Sequence, residues 1–312
     1  MPRKIWVATT CFRAAPDQPR TVEQNVRRAE DLIDQAAVYQ PDLICLPETF
    51  PSIRVPHQAA REVAEEVPGP VTEALARKAR QHRAYVVCPL FERRGDRVYN
   101  VAVLLDREGQ IVGTYEKVHP VGSQPPLEPG AVLERGVTPG REAKVFETDF
   151  GKIGIMICFD SNWPGEWAEL KRRGAELVVF PSAYEAGFKL FAHAWNNKYY
   201  VVSSTWSTPS KIIDLTGQLV ATTGTYTDLA VARLDLEKRF FHVDWHAAKL
   251  VEIQRRYGRQ VKVQWCLPEA GFTLESEVEG LTVDDLIAEF GLQPYEEYIA
   301  ASAALQARLR DA

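Results

Sequence analysis

Short runs rich in Val, Ile and Leu alternate with amphipathic helical stretches from about residue 4 to residue 235, and this alternation admits few folds. Residues 4–10 read as a strand. Thr21 to Tyr39 reads as a helix with Thr21 as N-cap and Val22, Val26, Ala29, Leu32, Ile33 and Ala36 at helical spacing. Asp42 to Leu46 is a short buried strand ended by Pro47, a helix over 71–82 follows Pro70, and a strand covers 84–91. Arg97–Leu105 and Gln110–Tyr115 flank an Arg-Glu-Gly turn as a hairpin. The second half repeats the rhythm, with strands near 144–148 and 152–157, a helix from Gly165 to Arg173 and a strand Glu176–Phe180. A helix around 188–198 and strands at 199–206, 210–214 and 228–234 follow. The expected fold class is α/β, a layered core.

The chain's 312 residues, 46% hydrophobic and 25% charged, suffice for one large domain with a continuous core. From about Phe240 the pattern turns helical, over Trp245–Tyr257, Val283–Phe290 and Tyr295–Leu309. We therefore expect a domain over 1–240 and an extension over 241–312, packed on that domain or on a dimer partner. The net charge of −5 lacks the basic face that nucleic acid demands. The N-terminus has no long apolar signal-peptide core and no run of 18 apolar residues occurs, so the expectation is a soluble cytoplasmic protein without a membrane partner. Its five cysteines are odd in number, widely separated and without a C-x-x-C pair, which favours neither a disulfide scaffold nor a zinc knuckle.

Three segments place a reactive group just after an apolar strand. Leu43-Ile44-Cys45-Leu46-Pro47-Glu48 delivers a carboxylate to a strand's C-terminal end, where open α/β sheets handle ligands. Tyr115-Glu116-Lys117-Val118-His119-Pro120 closes the hairpin and opens an aperiodic stretch from Val118 to Gly140, long enough to be a lid or binding loop. Gly151 to Asp160 is an apolar strand ending on Cys158, followed by a polar loop and a helix. Taken singly, Glu48 and Lys117 would be solvated surface charges and Cys158 a small buried hydrophobe.

Their order, local sequence and separation change that reading. LPETF around Glu48, EKVHP around Lys117, VFETDFGKIGIMICFD through Cys158 and GAELVVFPSA downstream together resemble the nitrilase, or carbon-nitrogen hydrolase, superfamily over roughly residues 4–235. The resemblance implies an α-β-β-α sandwich, usually paired across a homodimer or higher oligomer, and a Glu-Lys-Cys triad. It also implies an enzyme without cofactor or metal, acting on small linear amides or N-carbamoyl amines through a thioester. On that reading Cys158 is the nucleophile, Glu48 the general acid and base, and Lys117 with the backbone N–H of Phe159 stabilises the oxyanion. Members often add a second Glu between the Lys and the Cys. Glu134 in VLERGVTPG and Glu128 in PPLEPG both qualify, and the local pattern favours Glu134.

Asp160, Trp163 and Tyr184 are expected near the substrate, with Trp195 and Trp206 as further aromatics of the pocket rim or core. Relatives that hydrolyse N-carbamoyl amino acids carry paired arginines after the nucleophile. Here Ser161 and Asn162 stand there, which predicts a substrate lacking an α-carboxylate unless arginines from elsewhere, such as Arg54 or Arg135, meet it. Cys158-Phe159-Asp160 differs from the Cys-Trp-Glu of true nitrilases, which leaves nitrile hydrolysis, like a catalytically silent binding scaffold, as an alternative. A papain-like reading would need His193 beside Cys158 and leaves LPETF and EKVHP unexplained. His242-Val243-Asp244-Trp245-His246 invites a metal reading but lacks a third nearby His. His119 could orient Lys117 or cap its loop, and Cys45 and Cys88 read as inert strand residues.

Overall fold

The computed structural model describes residues 3–13, 18–122, 131–207 and 209–311. The chain divides into two compact units, Ile5–Arg233 and Met1–Lys4 with Leu234–Ala312.

In the larger unit, β1 (Lys4–Thr10), α1 (Val22–Ala37), β2 (Leu43–Cys45), α2 (Pro70–His82) and β3 (Tyr85–Arg94) form a parallel β-α-β-α-β run. Thr21 caps α1 as expected: its hydroxyl accepts from the Gln24 N–H while the Gln24 side chain accepts from the Thr21 N–H. Such reciprocal caps contribute about 1 kcal/mol. Two antiparallel strands, β4 (Arg97–Leu105) and β5 (Ile111–Glu116), complete the sheet on one side. The β4–β5 turn is held by Asp106, whose carboxylate accepts from the N–H groups of Glu108 and Gln110.

The second half repeats this plan. The strands β6 (Lys144–Glu147) and β7 (Lys152–Ile155) pair antiparallel, and then β7, α3 (Pro164–Arg172), β8 (Leu177–Ser182), α4 (Phe188–Asn197) and β9 (Tyr200–Thr205) form the second parallel run. β10 (Lys211–Ile213) and β11 (Leu219–Thr222) extend the far edge, while β12 (Leu229–Asp235) joins the first sheet beside β1. The resulting six-stranded sheets run β12-β1-β2-β3-β4-β5 and β11-β10-β9-β8-β7-β6. β11 had no counterpart in the sequence reading, because Leu219 and Val220 are exposed and show no clean alternation.

Helices cover the outer faces and the sheets face each other, giving an α-β-β-α sandwich. Ala29, Leu32, Ile33 and Ala36 of α1 and Val71, Leu75 and Ala79 of α2 bury against Ile44, Val86 and Cys88. Each such Leu or Ile side chain contributes about 1.5–3 kcal/mol of burial. On the second sheet α3 approaches so closely that a Cβ at Gly154 would sit 2.8 Å from Leu170 Cδ1. Between β1 and β9 the contacts are polar: Thr9 Oγ1 donates to the Ser203 carbonyl, and Ser204 Oγ donates to the Thr10 carbonyl at 2.7 Å. These strands can therefore approach without bulky side chains between them.

The smaller unit contains the three expected helices, α5 (Ala247–Tyr257), α6 (Val283–Phe290) and α7 (Tyr295–Arg310). It also holds a three-stranded antiparallel sheet that helical periodicity did not reveal, β13 (Arg239–His242), β14 (Val261–Cys266) and β15 (Gly271–Ser276), in the order β13-β15-β14. Phe241, Leu250, Ile253, Phe272, Leu274 and Leu286 form its core. His246 in this unit has both ring nitrogens engaged, Nδ1 with the His242 carbonyl and Nε2 with the Gln293 N–H. Among the described residues, no helix is long and apolar enough to cross a membrane.

Candidate active site

β2 lies between two parallel neighbours, so its three residues are wholly buried and its C-terminal end carries Leu46-Pro47-Glu48 out of the sheet. Thr49 then turns back in the left-handed region, φ 41°. The following Phe50–Ser52 turn is anchored by Asn25 of α1, whose buried amide donates to the carbonyls of Pro51 and Ile53. Glu48 is consequently fixed from behind and only 4% exposed. Its Oε1 accepts from Lys117 Nζ at 2.8 Å and from Asn100 Nδ2 at 2.8 Å, and its Oε2 accepts from the Ala183 N–H at 2.8 Å. Trp206 Nε1 donates to the Glu48 backbone carbonyl.

Lys117 directly follows β5, and its own N–H donates to the Asn100 carbonyl at 2.8 Å, continuing the ladder with β4. Its side chain, 1% exposed, donates to Glu48 Oε1 and to Glu134 Oε1. The facing carboxylates push its pKa up against the opposing effect of burial, so Lys117 stays an ammonium. The loop beyond it returns to place Glu134, whose N–H donates to the Val121 carbonyl and whose Oε1 accepts from the Val121 N–H. Of the two candidates for the second glutamate, Glu134 meets Lys117; Glu128 lies outside the described residues.

Cys158 begins a 3-10 turn, Cys158–Asn162, three residues beyond the end of β7. Its φ of 49° is in the left-handed region, a strain of roughly 1–3 kcal/mol for a residue with a side chain. The turn is held by Asp160, wholly buried, which accepts from the Ile157 N–H at 2.9 Å, the Tyr115 hydroxyl at 2.8 Å and the His119 N–H at 2.8 Å. Burial raises the pKa of Asp160 to about 6, with those donors and Lys117 opposing the rise. Burial first, and then the Glu48 charge, push the Cys158 thiol far up, with Lys117 and donors at Ala183 and Ser182 pulling the other way. The resting sulfur is therefore a thiol. Burial likewise pushes up the thiols of Cys45 and Cys88, which fits inert strand residues.

Cys158, Glu48, Lys117 and Glu134 converge on one cavity of about 390 Å³, lined also by Arg54, His57, Phe91, Asn100, Arg135, Ala183 and Trp206 among others. Phe159, Asp160, Trp163 and Tyr184 are not among its lining residues. Asp160 instead ties the Cys158 turn to the Lys117 loop. Trp163 stacks on the His119 ring at 3.6 Å and meets Phe159 edge-on, and Tyr184 shares a 2.7 Å hydrogen bond with Ser161. The His119 ring bonds Glu166, and its backbone N–H donates to Asp160. His193 bonds the Ser161 carbonyl and stacks on Trp167 at 4.0 Å.

The sequence reading missed Asn25, Asn100 and Ala183. Asn100 is a lone amide in an apolar strand, and Asn25 falls at helical spacing with buried Ala29 and Leu32, each a signal of a required hydrogen bond. Ala183 stands just past the end of β8, by the same strand-end logic that found Glu48 and Cys158.

The carbon-nitrogen hydrolase family model matches residues 11–239, most of the chain. The chain belongs to the carbon-nitrogen hydrolase family. It is 26% identical over 235 residues to the omega-amidase NIT2 of Danio rerio, covering 68% of this chain and 83% of that protein. It is 28% identical over 256 residues to the deaminated glutathione amidase of Bos taurus, covering 74% and 76%. Among solved structures, the fold is similar to Saccharomyces cerevisiae Nit3, a member of branch 10 of the nitrilase superfamily, with TM-score 0.62, 22% identity and coverage of 81% and 97%. An amidase from Nesterenkonia sp. gives TM-score 0.63, 22% identity and coverage of 80% and 95%. The hydrolase is thus an enzyme of carbon-nitrogen bonds on a nitrilase-superfamily fold.

Proposed function

We propose that the hydrolase is a thiol amidase of small carboxylate-bearing amides, with Cys158 as nucleophile. The observation that carries this reading is the convergence, on one cavity, of a thiol with an ammonium gripped by two carboxylates. Because Cys158 is protonated at rest, its proton must leave as sulfur attacks the amide carbon, and Glu48 accepts it. The developing oxyanion is stabilised by Lys117 and the Phe159 N–H. Glu48 returns the proton to the departing nitrogen, ammonia leaves, and a Cys158 thioester remains. Glu48 then takes a proton from water, whose oxygen attacks the thioester. Collapse releases the acid, and the proton goes back to sulfur. Glu134 holds Lys117 throughout.

The expectation of a substrate without a carboxylate rested on Ser161 and Asn162. Neither lines the cavity, since Ser161 bonds Tyr184 and Asn162 accepts from Lys189. Those two positions therefore lie outside the lining on which the present reading rests. The lining holds Arg54, Lys117 and Arg135 as cations, with Lys117 bonded to Glu48 and Glu134 and Arg135 donating from one guanidinium nitrogen to the His57 carbonyl. Arg54 and Arg135 reach the cavity from two separate loops, and guanidinium forks suit a carboxylate. Similarity to proteins named omega-amidase and deaminated glutathione amidase supports an amide over a nitrile or a carbamoyl group.

Ammonia release from the monoamide of a short dicarboxylic acid, its neutral amide analogue, an N-carbamoyl amine and a nitrile tests this directly. The acid monoamide is expected to have the highest kcat/KM, by about tenfold or more over the neutral amide, as one charge-assisted contact supplies. Arg135→Ala should remove that preference while sparing the neutral amide. A neutral amide turned over at least as well as the acid monoamide would refute the carboxylate assignment.

A further inference from the structure

Asn100 sits in the interior of β4 and is 2% exposed, with Val98, Val101, Ala102 and Val103 around it in sequence. An amide buried at such a place costs several kcal/mol unless its groups are bonded. Its Nδ2 donates to two carboxylates from different segments, Glu48 Oε1 at 2.8 Å and Glu134 Oε2 at 3.0 Å. Its backbone carbonyl accepts the Lys117 N–H at 2.8 Å. One residue therefore touches both carboxylates and the backbone of the lysine they hold.

Its Oδ1 is also buried, and has no hydrogen-bond partner among the described residues. An unsatisfied acceptor costs about 1–3 kcal/mol, which evolution ordinarily removes. Rotating the amide would not relieve it, because that would set the oxygen against two carboxylates. The orientation is dictated by Glu48 and Glu134, and the orphan oxygen is its consequence.

A neutral two-hydrogen donor has one property that Lys or Arg at this place would lack. It holds two carboxylates together without adding a second cation, which would weaken Glu48 as a base. We propose that Asn100 is a positioning residue, a clamp that fixes Glu48 and Glu134 relative to each other and to Lys117. This rests on the assignment of Glu48 as the base that takes the Cys158 proton.

The test is steady-state kinetics and the pH profile of kcat/KM for Asn100→Ala and Asn100→Asp, with thermal unfolding alongside. A donor to charged groups is worth about 10- to 100-fold, so Asn100→Ala should lose about 30-fold in kcat with KM within threefold. Its acid limb should move to higher pH, because the charged carboxylate has lost a donor. Asn100→Asp, isosteric but with a third negative charge in place of the donor, should move the limb further. An unmoved acid limb in both variants, whatever happens to melting temperature, would overturn the clamp. If the alanine variant fails to fold, Asn100→Thr, suited to a strand, is read by the same criteria. Cys158→Ala serves as the control: if it stays active, the reading of the site fails, whereas an inactive control with unmoved Asn100 variants rejects the clamp alone.

Discussion

Glu48 and Cys158 both stand just beyond the end of a short parallel strand, one from each sheet, yet they are held in opposite ways. Glu48 is held by its side chain, both oxygens bonded by Lys117, Asn100 and the Ala183 N–H. Cys158 is held by its backbone, in a left-handed turn that Asp160 secures through the Ile157 N–H. The difference fits the chemistry we propose for each. A buried carboxylate that must remain a base needs its charge surrounded by donors, whereas a thiol that is neutral at rest needs only to be presented. The first sheet supplies electrostatics and the second supplies geometry.

The largest expected effect breaks the second half of this comparison. Cys158→Ala should lower kcat by about 10⁴-fold or more while melting stays within a few degrees, since the turn is fixed by Asp160 and not by the sulfur. Steady-state kinetics and calorimetry check both numbers, and activity within tenfold of wild type would exclude Cys158 as nucleophile. The first half is tested at Glu134. Glu134→Gln should cost about 10²-fold in kcat by loosening Lys117, and Glu128→Gln should cost much less. The reverse ranking would move the role to Glu128.

A smaller effect concerns the tie between the two sheets. Burial raises the pKa of folded Asp160 to about 6, against 3.8 for a free aspartate, so the folded state binds its proton more tightly than the unfolded state. Its burial then costs nothing below about pH 4 and costs stability increasingly as pH rises to about 6. The cost levels off at about 3 kcal/mol, which is about two pKa units at 1.36 kcal/mol each. The difference in unfolding free energy between wild type and Asp160→Asn, measured by denaturant titration at several pH values, should therefore shift against wild type over that window. A flat difference would show that Asp160 carries no buried charge.

Much of this was legible in the sequence because strand ends are local features. Apolar runs ending on Glu48, Lys117 and Cys158 announce where a sheet releases a side chain, and Thr21 with Gln24 announces a helix start. What escaped depends on direction and distance in space. Trp163 lies close to Cys158 along the chain but stacks on His119, and Tyr184 bonds Ser161. Arg54 and Arg135, named from the sequence only as arginines from elsewhere, line the cavity. Asn100 looks like a flaw in an apolar strand until its two carboxylates are placed beside it. The sheet β13-β15-β14 was hidden because strands of four to six residues beside strong helical patterns leave little periodicity to read.

The central claim is that carbon-nitrogen cleavage passes through sulfur at Cys158 with Glu48 moving the proton. It is tested most directly by mixing enzyme with the acid monoamide, quenching in acid within one turnover and locating the acyl group by mass spectrometry. The account predicts an adduct of the acyl mass on the peptide containing Cys158, absent in Cys158→Ala and slow to form in Glu48→Gln. An acyl group on another residue, or turnover with no acyl adduct at any time, would contradict it.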